Sequence, residues 1–263
     1  MRRSIPLLLA ATFAAGSAQA AAQRVRPVVD ARYGFLLGVV VNGTWRDAER
    51  AASMVRGGER YRVFAGGRAV GVATGSRPEP GEPCDDARLV KLTPEVEDAD
   101  VAVVGAWNVR PRAVTPGDAA NPAYAADVRR LARAHGIANA EVRITRVVRA
   151  DLDGNGTEEA IVSATRAAEQ LGWAARAGDY SMVFVRKLVQ GAVRTIVLVE
   201  SYHPRSSPNA VPSVFDLGGV YDLDGDGGYE IVLRGRYYEG GSTAVFKIRG
   251  TTAARVAESG CGA

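Results

Sequence analysis

The sequence is poor in the residues on which many catalytic centres depend. Its 263 residues include only two histidines, His135 and His203. A catalytic zinc held by three histidines is therefore excluded, and a serine triad would have to use one of two poorly placed bases. No G-x-S-x-G, H-E-x-x-H, P-loop or strand-associated G-x-G-x-x-G motif occurs either. A glycosidase needs only two suitably separated carboxylates, so enzyme activity stays open, although the sequence favours its absence.

Long apolar runs are missing beyond the N-terminal segment. No later run approaches the roughly 20 residues of a membrane span, so we do not expect an integral membrane protein. Residues 1–20 combine two arginines, an apolar stretch and the small-x-small sequence Ala18-Gln19-Ala20, which is typical of a secretory signal peptide. We therefore expect a secreted or periplasmic chain that begins near Ala21. Loss of the two arginines would bring the net charge of +4 closer to zero, which argues against a nucleic-acid partner.

Lysine is scarce as well, and cysteine occurs only as one pair. Three of the 33 basic residues are lysines, and the arginines are scattered, so composition explains them better than an anion-binding surface. In an oxidising compartment Cys84 and Cys261 are expected to form one disulfide. A catalytic thiol is the weaker alternative, because neither histidine lies near a cysteine in sequence.

The chain is organised around a short acidic loop that occurs twice, at residues 151–159 and 222–230. Both copies follow the pattern D-L-D-G-[ND]-G-x-x-E. Each copy runs directly into an apolar segment, Ala160-Ile161-Val162 in the first and Ile231-Val232-Leu233 in the second. The combination of the same loop with the same following strand indicates a duplicated unit.

Calcium explains the spacing of the oxygen-bearing side chains. The ion takes about six to eight oxygen ligands, and a glycine at position 6, here Gly156 and Gly227, permits the sharp turn. An EF-hand would require a glutamate at position 12, where this sequence has Val162 and Leu233, so that motif is rejected. The carboxylates and the amide at positions 1, 3, 5 and 9 are Asp151, Asp153, Asn155 and Glu159 in the first loop, and Asp222, Asp224, Asp226 and Glu230 in the second.

These loops resemble the calcium loops of FG-GAP and VCBS-type repeats, which occur in integrin-like propeller blades and in secreted bacterial proteins. The resemblance covers about half of the chain. It implies calcium ligands at positions 1, 3, 5, 7 and 9, with the carbonyls of Thr157 and Gly228 at position 7. This sequence has glutamate at position 9, where aspartate is commoner in the family.

Metal-free turns are the alternative interpretation, because Asp, Asn and Gly favour tight turns for backbone reasons alone. Three or four carboxylates within nine residues repel one another without a cation, which favours the calcium interpretation. Exposed aromatic residues, for instance Trp173 or Tyr237-Tyr238 beside the second loop, are candidates for a glycan or protein platform. Alternating inward and outward strand positions would also explain the tyrosine pair.

The first hundred residues predict a small mixed sheet with one helix. We expect a strand over 33–41, a helix from a Thr44 cap to about Val55, and a β-hairpin around Gly66-Gly67. Three prolines within 110–122 suggest a weak domain boundary, which gives a signal peptide at 1–20, an N-terminal β-rich domain at 21–115 and a repeat domain at 116–263. A helix with Pro122 in its first turn is predicted to run to Gly136.

Together the patterns predict a mainly β protein of the α+β type. Its antiparallel β-meanders would form a duplicated blade-like unit with one or two helices, and two copies cannot close a propeller. We expect a secreted, monomeric calcium-binding protein with a structural or extracellular binding role, whose partner is an extracellular protein or glycan. The alternative is a secreted hydrolase of cell-wall or extracellular polymer with structural calcium.

Overall fold

The computed structural model describes residues 24–167 and 171–262. They form antiparallel sheets and two α-helices, which confirms a mainly β chain that is not a closed propeller. The predicted signal peptide lies outside the described residues. No described helix is long and apolar enough to cross a membrane.

The N-terminal part forms a seven-stranded sheet and a small two-stranded one. The strands are β1 (Val25–Asp30), β2 (Leu36–Val41), β3 (Thr44–Asp47), β4 (Arg60–Ala65), β5 (Arg68–Gly75), β6 (Glu79–Pro80), β7 (Arg88–Leu89), β8 (Leu92–Thr93) and β9 (Val101–Val103). Their order in the larger sheet is β3-β2-β1-β9-β4-β5-β8, and β6 pairs with β7. The hairpin predicted around Gly66-Gly67 is present as β4 and β5.

The helix predicted from Thr44 is wrong in its start and in its length. Residues 44–47 form strand β3, because Asn42-Gly43 makes a two-residue hairpin turn with both φ angles positive, at 51° and 81°. The helix α1 covers only Ala48–Ala51 and is capped by the Asp47 side chain, which accepts hydrogen bonds from Glu49 N and Arg50 N. A single 3₁₀ turn, Ala52–Met54, follows it.

Two further sheets make up the C-terminal part. The second sheet contains β10 (Val114–Pro116), β11 (Ile144–Ala150), β12 (Glu159–Arg166), β13 (Asp179–Val189) and β14 (Ala192–His203), in that order. The third contains β15 (Val214–Tyr221), β16 (Glu230–Tyr237), β17 (Gly240–Arg249) and β18 (Thr252–Gly262), also in chain order. Strands β11–β14 and β15–β18 are both antiparallel meanders, and in each an acidic loop joins the first strand to the second.

The predicted second helix is present as α2 (Pro122–Ala134). Asn121 caps it by accepting a hydrogen bond from Ala123 N, and Tyr124, Val128 and Leu131 bury its apolar face against the second sheet. His135 follows at the C-terminal end, where its Nδ1 lies 3.0 Å from Leu131 O and its ring stacks on Tyr202 at 4.0 Å. These contacts agree with a structural role for this histidine.

The third sheet is the middle layer of the molecule. Ile231 and Leu233 face a core shared with the second sheet, whereas Val232, between them, faces a core shared with the N-terminal sheet. Successive side chains of a strand point to opposite faces, so a strand buried on both faces needs a continuous apolar run. This burial explains why the segment after the second acidic loop is apolar without alternation.

The predicted disulfide joins Cys84 to Cys261, with their Cα atoms 5.5 Å apart. Cys84 lies between β6 and β7 of the N-terminal part, and Cys261 lies near the end of β18. The bond therefore ties the last strand of the third sheet back to the N-terminal part across a separation of 177 residues.

The long loop that the disulfide closes predicts a large effect on stability. In the chain-entropy model, the double variant Cys84→Ser, Cys261→Ser should lower the free energy of unfolding by roughly 4–5 kcal/mol. Urea unfolding followed by circular dichroism would measure the difference, and reduction of the wild-type protein should reproduce it. Equal stability of the oxidised protein and the double variant would contradict the prediction.

Candidate functional site

The backbone of each acidic loop turns around the side chain of its first aspartate, which accepts hydrogen bonds from the loop amides. Asp151 accepts hydrogen bonds from Gly154 N, Asn155 N and Gly156 N at 2.8–3.0 Å. Asp222 accepts from Gly225 N at 2.7 Å and from Gly227 N at 3.1 Å. The glycines at positions 4 and 6 of both loops have positive φ angles between 73° and 87°, a region that side chains disfavour. The repeated glycine positions are therefore required by the turn itself.

The carboxylate at position 9 closes each loop from the following strand. Glu159 and Glu230 begin β12 and β16 and are 1% and 0% exposed. Their Oε2 atoms accept hydrogen bonds from Leu152 N at 2.8 Å and from Leu223 N at 2.7 Å. The extra methylene of glutamate thus reaches back across the loop to the residue after the first aspartate.

The other predicted ligands lie on the same loops. Asn155 accepts a hydrogen bond from Thr157 N, and Asp226 accepts one from Gly228 N, each at 2.8 Å. Carboxylate oxygens from three side chains of each loop lie within 4.8 Å of one another: Asp151, Asp153 and Glu159, and Asp222, Asp224 and Asp226. The sequence motif therefore brings together two acidic clusters that could hold a metal ion.

A lysine ammonium lies inside each cluster. Lys187 Nζ is 2.7 Å from Asp153 Oδ2 and 2.7 Å from Glu159 Oε1. The lysine enters from β13, the third strand of its meander, and its side chain is 4% exposed. The sequence gives no local sign of this contact, because the lysine is 28 residues away from Glu159.

The second loop contains the same arrangement with one more carboxylate. Lys247 Nζ donates hydrogen bonds to Asp224 Oδ2 and Asp226 Oδ2, each at 2.7 Å. Glu230 Oε1 forms an ion pair with the same nitrogen at 2.8 Å, without the geometry of a hydrogen bond. Lys247 lies on β17, again the third strand, directly opposite Glu230 in the strand register.

The charges in the two clusters shift one another's pKa values. Burial alone would lower the pKa of Lys187, but the hydrogen bonds that its ammonium donates to Asp153 and Glu159 outweigh burial, so the pKa is raised. The pKa of Lys247 is raised in the same way, against burial, by Glu230 and the two aspartates. Burial, together with Asp224, raises the pKa of Glu230 to about 8. The ammonium groups therefore stay charged, and Glu230, the most buried carboxyl of the second loop, takes up a proton more readily than an ordinary glutamate.

Arg112 and Tyr229 join the two loops to each other. The Arg112 guanidinium donates to Asp151 O at 2.7 Å and to Gly227 O at 2.8 Å, which lie in different loops. Tyr229 N donates to Leu152 O at 2.8 Å, and the tyrosine ring lies 4.7 Å from the guanidinium. The two acidic loops are thus one connected structure at the junction of the second and third sheets.

The second loop is also fixed to the N-terminal part. Asp222 N donates to Val109 O at 2.8 Å, and Trp107 Nε1 donates to Asp222 O at 2.7 Å. Arg26 of β1 lies 4.7 Å above the Trp107 ring. Three sheets therefore meet at this loop pair, which the sequence motif alone did not indicate.

The remaining candidates lie elsewhere. Trp173 and Tyr238 place their ring centroids 4.8 Å apart and are 54% and 45% exposed, beside Tyr237 at 36%. His203 Nε2 lies 3.2 Å from Ser201 Oγ on the edge strand β14. Trp173 and Tyr238 thus form one exposed aromatic patch. The patch does not lie beside the second loop as expected, because Tyr238 follows the last residue of β16 whereas the loop precedes the first.

Comparison with protein-family models gave no match, and neither curated proteins nor solved structures gave a significant one. A functional proposal for this chain therefore depends on the geometry of its own residues.

The bridge between the loops predicts a large cost for removing Arg112. Arg112→Ala leaves the carbonyls of two loops without a donor and should lower the free energy of unfolding by about 2–4 kcal/mol. Arg112→Lys should not restore it, because one ammonium lacks the planar fork that reaches both loops.

Urea unfolding would measure the loss, with Arg255→Ala as the matched control. Arg255 is 57% exposed and forms a surface ion pair with Glu258, so its loss should cost less than about 1 kcal/mol. Equal costs for the two arginines would show that the bridge does not stabilise the loops.

Proposed function

We propose that this chain is an exported β-rich protein with a structural or extracellular binding role, in which a cation braces the end of each meander. The observation that carries the proposal is the repeated closure of both acidic loops around a positive charge, at 2.7 Å in each. The same two loops connect the second sheet to the third through Arg112 and, through Trp107, to the N-terminal part. The loops therefore hold the three sheets together.

The bonding of the carboxylates supports a structural role over catalysis. A general acid, general base or nucleophile must reach its substrate with a free oxygen. Here both oxygens of Glu159 are bonded, to Leu152 N and to Lys187, and both oxygens of Asp222 accept loop amides. The carboxylate oxygens of Glu159 and Asp222 are thus used within the protein and are not free to act on a substrate.

The hydrolase alternative would need its paired carboxylates in an open cleft. A cleft of about 700 Å³ lies where the three larger sheets meet. Two of its acids are paired with arginines: Asp100 with Arg234 at 3.3 Å and Asp216 with Arg236 at 3.9 Å. Asp100 also accepts a hydrogen bond from the Tyr221 hydroxyl. These pairings favour the structural and binding role.

Calcium is the metal ion that the loop spacing favours, because hard carboxylate, amide and carbonyl oxygens suit it. In the proposed calcium form, the ligands would be those that the resemblance implies. The same oxygens already contact a lysine nitrogen in each loop, so a metal ion and the ammonium compete for one position. Either cation would supply the positive charge that the brace requires.

The binding surface that we propose is the patch formed by Trp173 and Tyr238, and the partner is a glycan. Exposed Trp and Tyr rings supply large apolar faces at low entropic cost. Two side chains are few beside the roughly 20–30 residues that each partner contributes to a standard protein interface, whereas single sugar rings match single aromatic faces. A cell-wall or extracellular polysaccharide would meet this patch on an exported protein.

The cation brace predicts that loop carboxylates contribute more to stability than acids elsewhere on the same sheet. Asp224→Ala leaves Lys247 with one carboxylate fewer in a buried cluster and should lower the free energy of unfolding by about 3–5 kcal/mol. Asp222→Ala removes the acceptor around which the loop folds and should cost about 2–4 kcal/mol.

Asp216→Ala is the matched control, since Asp216 lies on β15 and is 54% exposed in its side chain. It should change stability by less than about 0.5–1 kcal/mol. Thermal and urea unfolding would compare the three variants. If both loop variants matched the control, the proposed brace would be refuted.

The aromatic patch predicts weaker glycan binding after truncation. Trp173→Ala and Tyr238→Ala should each weaken co-sedimentation with insoluble peptidoglycan or extracellular polysaccharide by roughly tenfold. Tyr33→Ala, an exposed aromatic on the N-terminal part at 48% exposure, should leave it unchanged. Undiminished binding by both patch variants would contradict the assignment, and release of new reducing ends by the wild-type protein would favour the hydrolase alternative.

A further inference from the structure

We infer that the resident cation of each acidic loop is the ammonium of Lys187 or Lys247, so that the chain is braced without calcium. This inference rests on the proposed function, because it identifies the cation that closes the loops. It differs from what the resemblance to calcium-loop repeats implies. In this chain a lysine side chain would neutralise the loop carboxylates, whereas in those repeats a bound calcium ion does so.

The ammonium contacts the side chains that calcium would need. Lys247 Nζ lies 2.7–2.8 Å from Asp224, Asp226 and Glu230, which occupy positions 3, 5 and 9 of the loop. Lys187 Nζ contacts positions 3 and 9 of the first loop, where position 5 is the neutral Asn155. In each loop the lysine thus contacts every charged side chain at positions 3, 5 and 9.

The remaining oxygens are already bonded to the loop backbone. Asp222 uses both oxygens, and Asp224, Asp226 and Glu230 each use their second oxygen, to accept amide hydrogen bonds. Calcium holds its oxygens at about 2.3–2.6 Å and takes about six to eight of them. It could gather that number only after the lysine had left, since two cations cannot share the same carboxylates at contact distance.

The residue type supports the same conclusion. Basic residues of this chain are overwhelmingly arginine, yet lysine stands at both loop positions and at only one other position, Lys91. An ammonium is a compact charge with three donors on a flexible stem, which suits a small pocket of converging oxygens, whereas a guanidinium is a wide planar fork. In a chain so poor in lysine, a lysine on the third strand of both meanders indicates that the site requires a compact ammonium group.

Burial of the two lysines would be costly without such a role. Their side chains are 4% and 9% exposed, whereas Lys91 is exposed. A buried ammonium costs several kcal/mol of desolvation unless carboxylates and hydrogen bonds offset it. The carboxylates need the lysines for the same reason, so each group accounts for the burial of the other.

Thermal unfolding with and without calcium tests the inference. The wild-type Tm should be the same, within about 1 °C, in excess EDTA and in millimolar calcium, because no ion binds to the native state. Lys247→Met should lower the Tm in EDTA by roughly 6–20 °C, and calcium should restore part of the loss by binding the vacated carboxylates. Lys91→Met is the control and should respond to neither change. A wild-type Tm that rises clearly and specifically with calcium would overturn the inference.

A second measurement needs no variant. An amine-reactive reagent, read by peptide mass spectrometry, should label Lys91 quickly in the native protein and leave Lys187 and Lys247 protected, with or without calcium. Rapid labelling of the two loop lysines in native protein, or labelling that appears only when calcium is added, would contradict the assignment. This measurement decides the question if Lys247→Met fails to fold.

The two proposals fail in different ways. If the loops brace nothing, Asp224→Ala will unfold like the Asp216→Ala control, whatever the lysines do. If the loops brace the scaffold but hold calcium, Asp224→Ala will be destabilised, the wild-type protein will depend on calcium, and the two loop lysines will be reactive.

Discussion

The structure depends on one electrostatic constraint: carboxylates that converge in a tight, partly buried loop need a positive charge among them. The D-L-D-G-[ND]-G-x-x-E sequence turns its carboxylates toward one another for two reasons. The first aspartate accepts hydrogen bonds from the backbone amides of the loop, and the glutamate on the next strand accepts one from the residue after that aspartate. The mutual repulsion of these carboxylates, with Glu159 and Glu230 buried, would open the loop in the absence of a cation. The third strand of each meander brings a lysine to that point.

The position of the loops lets this local constraint organise the whole molecule. Arg112 and Tyr229 connect the two loops, and Trp107 connects the second loop to the N-terminal part. The third sheet carries the second loop and is buried on both faces, so it forms the middle layer between two cores. The disulfide then ties its last strand to the N-terminal part. A scaffold connected in this way leaves its exposed aromatic patch free for the binding role that we propose.

Much of the fold follows from local sequence, and the part that does not is long-range. The two acidic loops, the hairpin at Gly66-Gly67 and the helix after Asn121 depend on residues within a few positions of one another, and each is present. The helix expected from Thr44 failed because Asn42-Gly43 forms a hairpin turn instead of simply ending a strand. Lys187, Lys247 and Arg112 could not be assigned to the site, because strand register and sheet packing bring them there. The scarcity of lysine was the one signal in the sequence that could have pointed to two of them.

The most direct test of the account is a high-resolution crystal structure of the protein grown in millimolar calcium, with anomalous scattering data to identify any ion. The account predicts a lysine nitrogen at the centre of each loop, about 2.7–2.8 Å from the carboxylate oxygens and without an anomalous peak. A calcium ion with oxygens at about 2.3–2.6 Å, and a lysine side chain turned away from the loop, would contradict it.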